Sequence, residues 1–161
     1  MQVDVQELGD WSRRVLGSRP GAPPVEVPTG VLGGVLAGEL LPGWYDDWVL
    51  LERERLRQLL VHTLEVAATR YAASGRYTEA MQAAYAALRA EPLRESAHRV
   101  IVQVHLDEGN VAEALRAFDR CRALLADELG VRPTDQMCRL VGGLRRPLRE
   151  PARSAGPVPT G

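Results

Sequence analysis

Apolar residues recur every three or four positions along most of this chain, and those intervals predict helices. The first spans Asp4–Leu16, with Val5, Leu8, Trp11 or Ser12, and Val15 on one face; Asp4 and Glu7 stand as in a capping box. Prolines at 20, 23, 24 and 28 forbid a helix over Arg19–Gly30 and predict an extended loop. A short apolar helix over Val31–Leu41, capped by Thr29, ends at the turn Pro42-Gly43. From about Asp47 a long helix carries Leu56, Leu59, Leu60, Leu64, Ala67 and Tyr71 on one stripe, with Gly75 beyond its end. Thr78 is expected to cap the next, which turns Met81, Ala84, Tyr85 and Leu88 inward and stops at Pro92. Arg94–Asp107 ends at Gly109, Val111–Leu129 ends at Gly130, and a last helix covers Thr134 to about Leu144. No run alternates at period two for a useful length, so the expected fold class is all-α.

A fixed period organises these helices. Gly75-Arg76-Tyr77-Thr78-Glu79-Ala80 returns as Gly109-Asn110-Val111-Ala112-Glu113-Ala114, 34 residues later at the Gly, the Glu and the Ala. That is the tetratricopeptide (TPR) period of a helix–turn–helix unit. The glycines make the turns, and Ala80 and Ala114 are small where the helices of a hairpin cross. Tyr71, His105, Ala84 and Phe118 are expected between hairpins. The expected architecture is a TPR-like superhelix over residues 1–146. It has repeats at about 61–94 and 95–128, N-terminal capping helices and a final helix at 134–144; a disordered tail follows at 147–161.

Composition narrows the class. The 161 residues suffice for one domain with a real core, and aromatics make up only 5%, so Leu, Val and Ala must build it. All 20 basic residues are arginine, and the net charge of -1 argues against capture of nucleic acid by the whole chain. No apolar run reaches membrane-spanning length, and no secretory signal pattern opens the sequence. Cys121 and Cys138 form no CxxC pair. A cytoplasmic protein with reduced thiols is the expectation.

Little in the sequence points to catalysis. It holds no GxSxG, Walker A or GxGxxG motif, and without lysine it has neither a P-loop lysine nor a Schiff-base lysine. His98 and His105 stand seven apart rather than the four that metal pairs on a helix favour. No enzyme activity, cofactor or metal is expected. Interaction chemistry has more support. In TPR-like arrays the first helix of each hairpin lines the concave groove. Counting from Ala80 and Ala114 places His62, Glu65 and Thr69, then Ser96, Arg99 and Gln103, toward it. Trp44 and Trp48, four apart, form a possible aromatic anchor, set against a role in pinning the N-terminal helices. Arg145, Arg146, Arg149 and Arg153 cluster in the tail, where a solvated face is favoured over phosphate contact.

Three stretches are distinctive together: Leu40–Val49 with Glu52–Leu56, Glu91–Arg99, and Leu124–Thr134. In this order and spacing they closely resemble the bacterial transcriptional activator domain of the antibiotic regulatory proteins (the SARP family) and their larger relatives. The resemblance covers about Val3 to Leu144. It implies a TPR-like domain that acts in transcription regulation by contacting RNA polymerase, a sigma factor or a DNA-bound regulator. Family members usually carry a winged-helix DNA reader just before this domain, and none stands before Val3 here. The expectation is therefore an indirect link to DNA. A general TPR adaptor or homodimerisation module, or a piece of a longer DNA-binding regulator of this type, are the alternatives.

Overall fold

The structure, a computed structural model, describes residues 5–37 and 47–145, with side chains over 5–33 and 51–145. Seven α-helices and no strand occupy the described residues: α1 (Val5–Gly17), α2 (Thr29–Ala37), α3 (Asp47–Ala73), α4 (Tyr77–Ala90), α5 (Glu95–Asp107), α6 (Val111–Leu129) and α7 (Asp135–Val141). The all-α, TPR-like expectation holds. Asp4, the Pro42-Gly43 turn, Arg146 and the expected tail at 147–161 lie outside the described residues.

α3 with α4, and α5 with α6, are the two hairpins; α3 also packs on α5, and α5 on α7. The turns repeat atom by atom at the 34-residue spacing. Gly75 and Gly109 take φ +75° and +85°, which only glycine adopts without strain. Arg76 N donates to Tyr71 O at 2.9 Å and Gly75 N to Ala72 O at 2.9 Å; Asn110 N donates to His105 O at 2.8 Å and Gly109 N to Leu106 O at 3.0 Å. Each pair of bonds is a Schellman turn that satisfies the last carbonyls of the first helix. The chain then enters the second helix at once. The N-caps are Arg76 and Asn110, neither with a side-chain cap bond, so Thr78 does not have the capping place expected of it. Ala80 and Ala114 are fully buried at the hairpin crossings, where a larger side chain would push the helices apart.

The core follows the apolar stripes. Leu56, Leu60, Leu64 and Ala67 of α3 face Ala80, Ala83, Ala84 and Ala87 of α4, and Ala97, Ile101 and Val104 of α5 carry it on to Phe118 and Leu125 of α6. Tyr85 departs from the expectation: it is 44% exposed. The alanine face of α4 makes the close contact with α3, which leaves Tyr85 at the outer edge.

The N-terminal segment is built onto the first hairpin. α1 packs on α3 and buries Leu8, Trp11, Ser12 and Val15, so both residues offered for its third apolar position are inside. Thr63 Oγ1 donates to Leu59 O at 2.7 Å and lies 3.1 Å from Ser12 Oγ, which can donate back to it. Residues 18–28 then run without helix or strand across the α3–α4 turn. Arg70 Nη2 donates to Ser18 O at 3.0 Å, Val27 N donates to Tyr71 Oη at 3.2 Å, and Tyr71 Oη lies 3.3 Å from Val25 O. Arg76 closes the clasp with an ion pair to Glu26 at 2.6 Å while its guanidinium sits 4.8 Å above the Tyr71 ring. The Arg76 hydrogen bond holds the Glu26 carboxyl below its ordinary pKa, and burial raises that of the Tyr71 hydroxyl.

α7 stands where the first helix of a third hairpin would. Thr134 caps it, accepting from Met137 N at 3.4 Å. The Glu95 carboxylate of α5 in turn accepts the Thr134 N–H at 3.0 Å and the Thr134 hydroxyl. The helix is shorter than expected, ending at Val141 rather than Leu144.

Candidate protein-interaction surface

The first helices of the hairpins, α3, α5 and α7, lie side by side and bound a groove. Its cavity holds about 240 Å³, between Thr69 and Ala72 of α3, Arg99, Val100, Gln103, Val104 and Asp107 of α5, and Gln136 and Leu140 of α7. Ala72, Val100, Val104 and Leu140 give it an apolar floor. Polar groups sit around that floor: Gln103 Nε2 donates to Asp107 Oδ1 at 2.7 Å, Thr69 Oγ1 donates back to Glu65 O at 2.9 Å, and Arg99 Nη1 stands 3.7 Å from Glu95 Oε1. A mostly apolar concavity with a few oriented polar groups suits a protein segment.

Of the six side chains expected in the groove, the structure brings three together there: Thr69, Arg99 and Gln103. His62 is exposed on α3 but not part of this cavity. Glu65 and Ser96 are turned to other work. Glu65 is only 8% exposed, and its carboxylate accepts from Arg94 Nε at 2.9 Å, Arg94 Nη2 at 3.4 Å and Ser96 Oγ at 2.6 Å. Arg94 extends the network to Gln58 Oε1 at 2.8 Å. A carboxylate so enclosed staples α3 to the start of α5. Trp44, and the side chain of Trp48 in the first turn of α3, lie outside the described residues.

Sequence reasoning missed Asp107, Gln136 and Leu140. A signal for the α7 pair was present: Gly143 continues the 34-residue spacing of Gly75 and Gly109, which makes α7 the first helix of a third, partial unit. Elsewhere the thiol of Cys121 is buried, and that burial pushes its pKa up to about 11. It is a core residue, without the thiolate a nucleophile needs.

Hairpin pairing, Schellman turns and the three-helix groove define a TPR-like helical-hairpin array. The model of the bacterial transcriptional activator domain matches residues 33–145, most of the chain, and the protein belongs to that family. It is similar to the regulatory protein AfsR of Streptomyces griseus, 33% identical over 125 residues, or 76% of this chain and 12% of that protein. It is also similar to the regulatory protein AfsR of Streptomyces coelicolor, 34% identical over 96 residues, or 60% of this chain and 10% of that protein. The chain thus spans about a tenth of the length of these relatives. No solved structure matches it. The expected resemblance to the SARP-type activator domain is borne out. Among the described residues no helix is long and apolar enough to cross a membrane.

Proposed function

We propose that this domain activates transcription by recruitment, without catalysis and in the cytoplasm, by contacting RNA polymerase, a sigma factor or a DNA-bound regulator. The observation that carries the reading is the family match across α3–α7, which takes in the three helices that frame the groove. A segment of the partner would lie on Val100, Val104 and Leu140 and exchange hydrogen bonds with Thr69, Gln103 and Gln136. Arg99 would draw a carboxylate to the edge. Recruitment asks little of such a contact: about 1–3 kcal/mol of coupling shifts promoter occupancy roughly 5–150-fold. DNA is reached through the partner or through a separate reader domain.

The test is binding of the purified chain to polymerase core and holoenzyme, by surface plasmon resonance. The reading expects saturable binding to one of them, or to a promoter-bound regulator. It also expects Arg99→Glu with Gln103→Ala to weaken binding about tenfold or more, with an unchanged far-ultraviolet spectrum. A chain that binds none of these, or binds equally well with both substitutions, would remove the groove from the mechanism.

A further inference from the structure

The second helices of the hairpins carry a larger concavity than the groove does. α4 and α6 each pack on α5 and leave between them a cavity of about 330 Å³. Ile101 and Ala117 lie buried within it, Leu88 and Leu124 are half-buried along its sides, and Tyr85 stands 44% exposed. The same Tyr85 also lines a second cavity, of about 750 Å³, that continues along α4 past Met81. An apolar strip therefore runs down α4 from Met81 to Leu88 and across to Leu124.

Charge on this face is one-sided. Arg89 stands one turn beyond Tyr85, and Arg120 lies between Ala117 and Leu124. Both are exposed, and neither has a hydrogen bond or ion pair among the described residues. Their neighbours are different. Arg116 and Arg122, on the same α6, pair with Glu113 and Asp119. The one other cationic candidate on the smaller cavity, His98, already spends Nε2 on Pro92 O at 2.8 Å. Glu108 lines the larger cavity but not the smaller one, and accepts from Asn110. The strip thus presents two free guanidiniums beside exposed aromatic and aliphatic surface.

We propose that the face between α4 and α6 is a docking surface for an acidic amphipathic helix of a partner protein. Its apolar edge seats on Tyr85, Leu88 and Leu124, and its carboxylates pair with Arg89 and Arg120. A groove between two helices takes a third by its i, i+3, i+4 and i+7 positions, and a half-exposed tyrosine is a ready anchor. The strip from Met81 to Arg89 covers about 12 Å at 1.5 Å per residue, so the occupant needs two to three turns. A basic helix would meet two uncompensated positive charges. The two surfaces share α5, but no lining residue is common to both and α3 and α7 take no part in this one, so it stands or falls apart from the function proposed above.

The test titrates the isotopically labelled full chain with a synthetic 14-residue helix, leucine on one edge and glutamate on its flanks. A second peptide has lysine in place of glutamate. The proposal expects saturable amide shifts confined to α4, α6 and the start of α5 with the acidic peptide, weakening as salt rises. The lysine peptide should bind at least tenfold more weakly. Arg89→Glu with Arg120→Glu should reverse that preference, and Tyr85→Ala, at a partly exposed position, should lose about tenfold in affinity while keeping the helical spectrum. Absence of binding, equal binding of both peptides, or shifts confined to α3 and α7 would overturn it. So would a dimer, seen by sedimentation, that Tyr85→Ala dissolves; the face would then belong to a second copy of this chain.

Discussion

Trp11→Ala should lower the unfolding free energy by about 3–5 kcal/mol, the usual cost of truncating a large buried aromatic. Trp11 is fully buried where α1 packs on α3, although α1 lies ahead of the residues matched by the family model. At this chain length each kcal/mol moves the thermal midpoint by about 2–4 °C, so a fall of roughly 6–20 °C is expected in a melt followed at 222 nm. Among the described residues its indole Nε1 has no hydrogen-bond partner. Trp11→Phe therefore removes an unsatisfied donor along with part of the ring, and should cost much less than the alanine change. A loss below about 1 kcal/mol for Trp11→Ala would make α1 a loose appendage of the array.

Glu65→Ala should cost about 3 kcal/mol in urea unfolding, because it strips a mostly buried guanidinium of its main partner. The side chains of Glu65 and Arg94 are 10% and 23% exposed, and Ser96 loses its acceptor at the same time. Gln58 and Glu91 remain near Arg94, at 2.8 and 3.7 Å, which holds the loss below that of a fully isolated charge. Glu65→Ala with Arg94→Met should recover much of it, since an apolar pair asks for no compensation. If Glu65→Ala changes stability by less than about 0.5 kcal/mol, the staple between α3 and α5 is not structural. The groove would then regain a free carboxylate.

The hairpins were legible because their determinants are local. A glycine at φ near +80° followed by the N-cap of the next helix is a short local event, and it recurs at Gly75 and Gly109 with the same bonds. Helix ends at Gly130 and just before Pro92 are legible for the same reason. The errors share a cause too. Thr78 reads as a cap by residue type, yet the Schellman turn brings the chain directly into α4 at Arg76. Tyr85 fits the apolar period of α4, but period alone does not say which flank of the stripe meets α3. The partners of Glu65 stand 29 and 31 residues away in the chain, and no spacing rule joins them. The same holds for the clasp of Tyr71 and Arg76 on Glu26, about 45 and 50 residues apart. Side chains whose roles depend on neighbours across the fold are the ones a linear pattern assigns to solvent.

Recruitment is tested most directly by tethering. The chain is fused to an unrelated DNA-binding domain whose site lies upstream of a weak promoter. Transcription is then measured in a purified system containing only polymerase holoenzyme and template. The proposed function predicts activation of about fivefold or more, within the range that 1–3 kcal/mol of coupling allows, and its loss with Arg99→Glu and Gln103→Ala. A folded fusion that occupies its site and leaves transcription at the basal level would contradict recruitment through polymerase or its sigma factor.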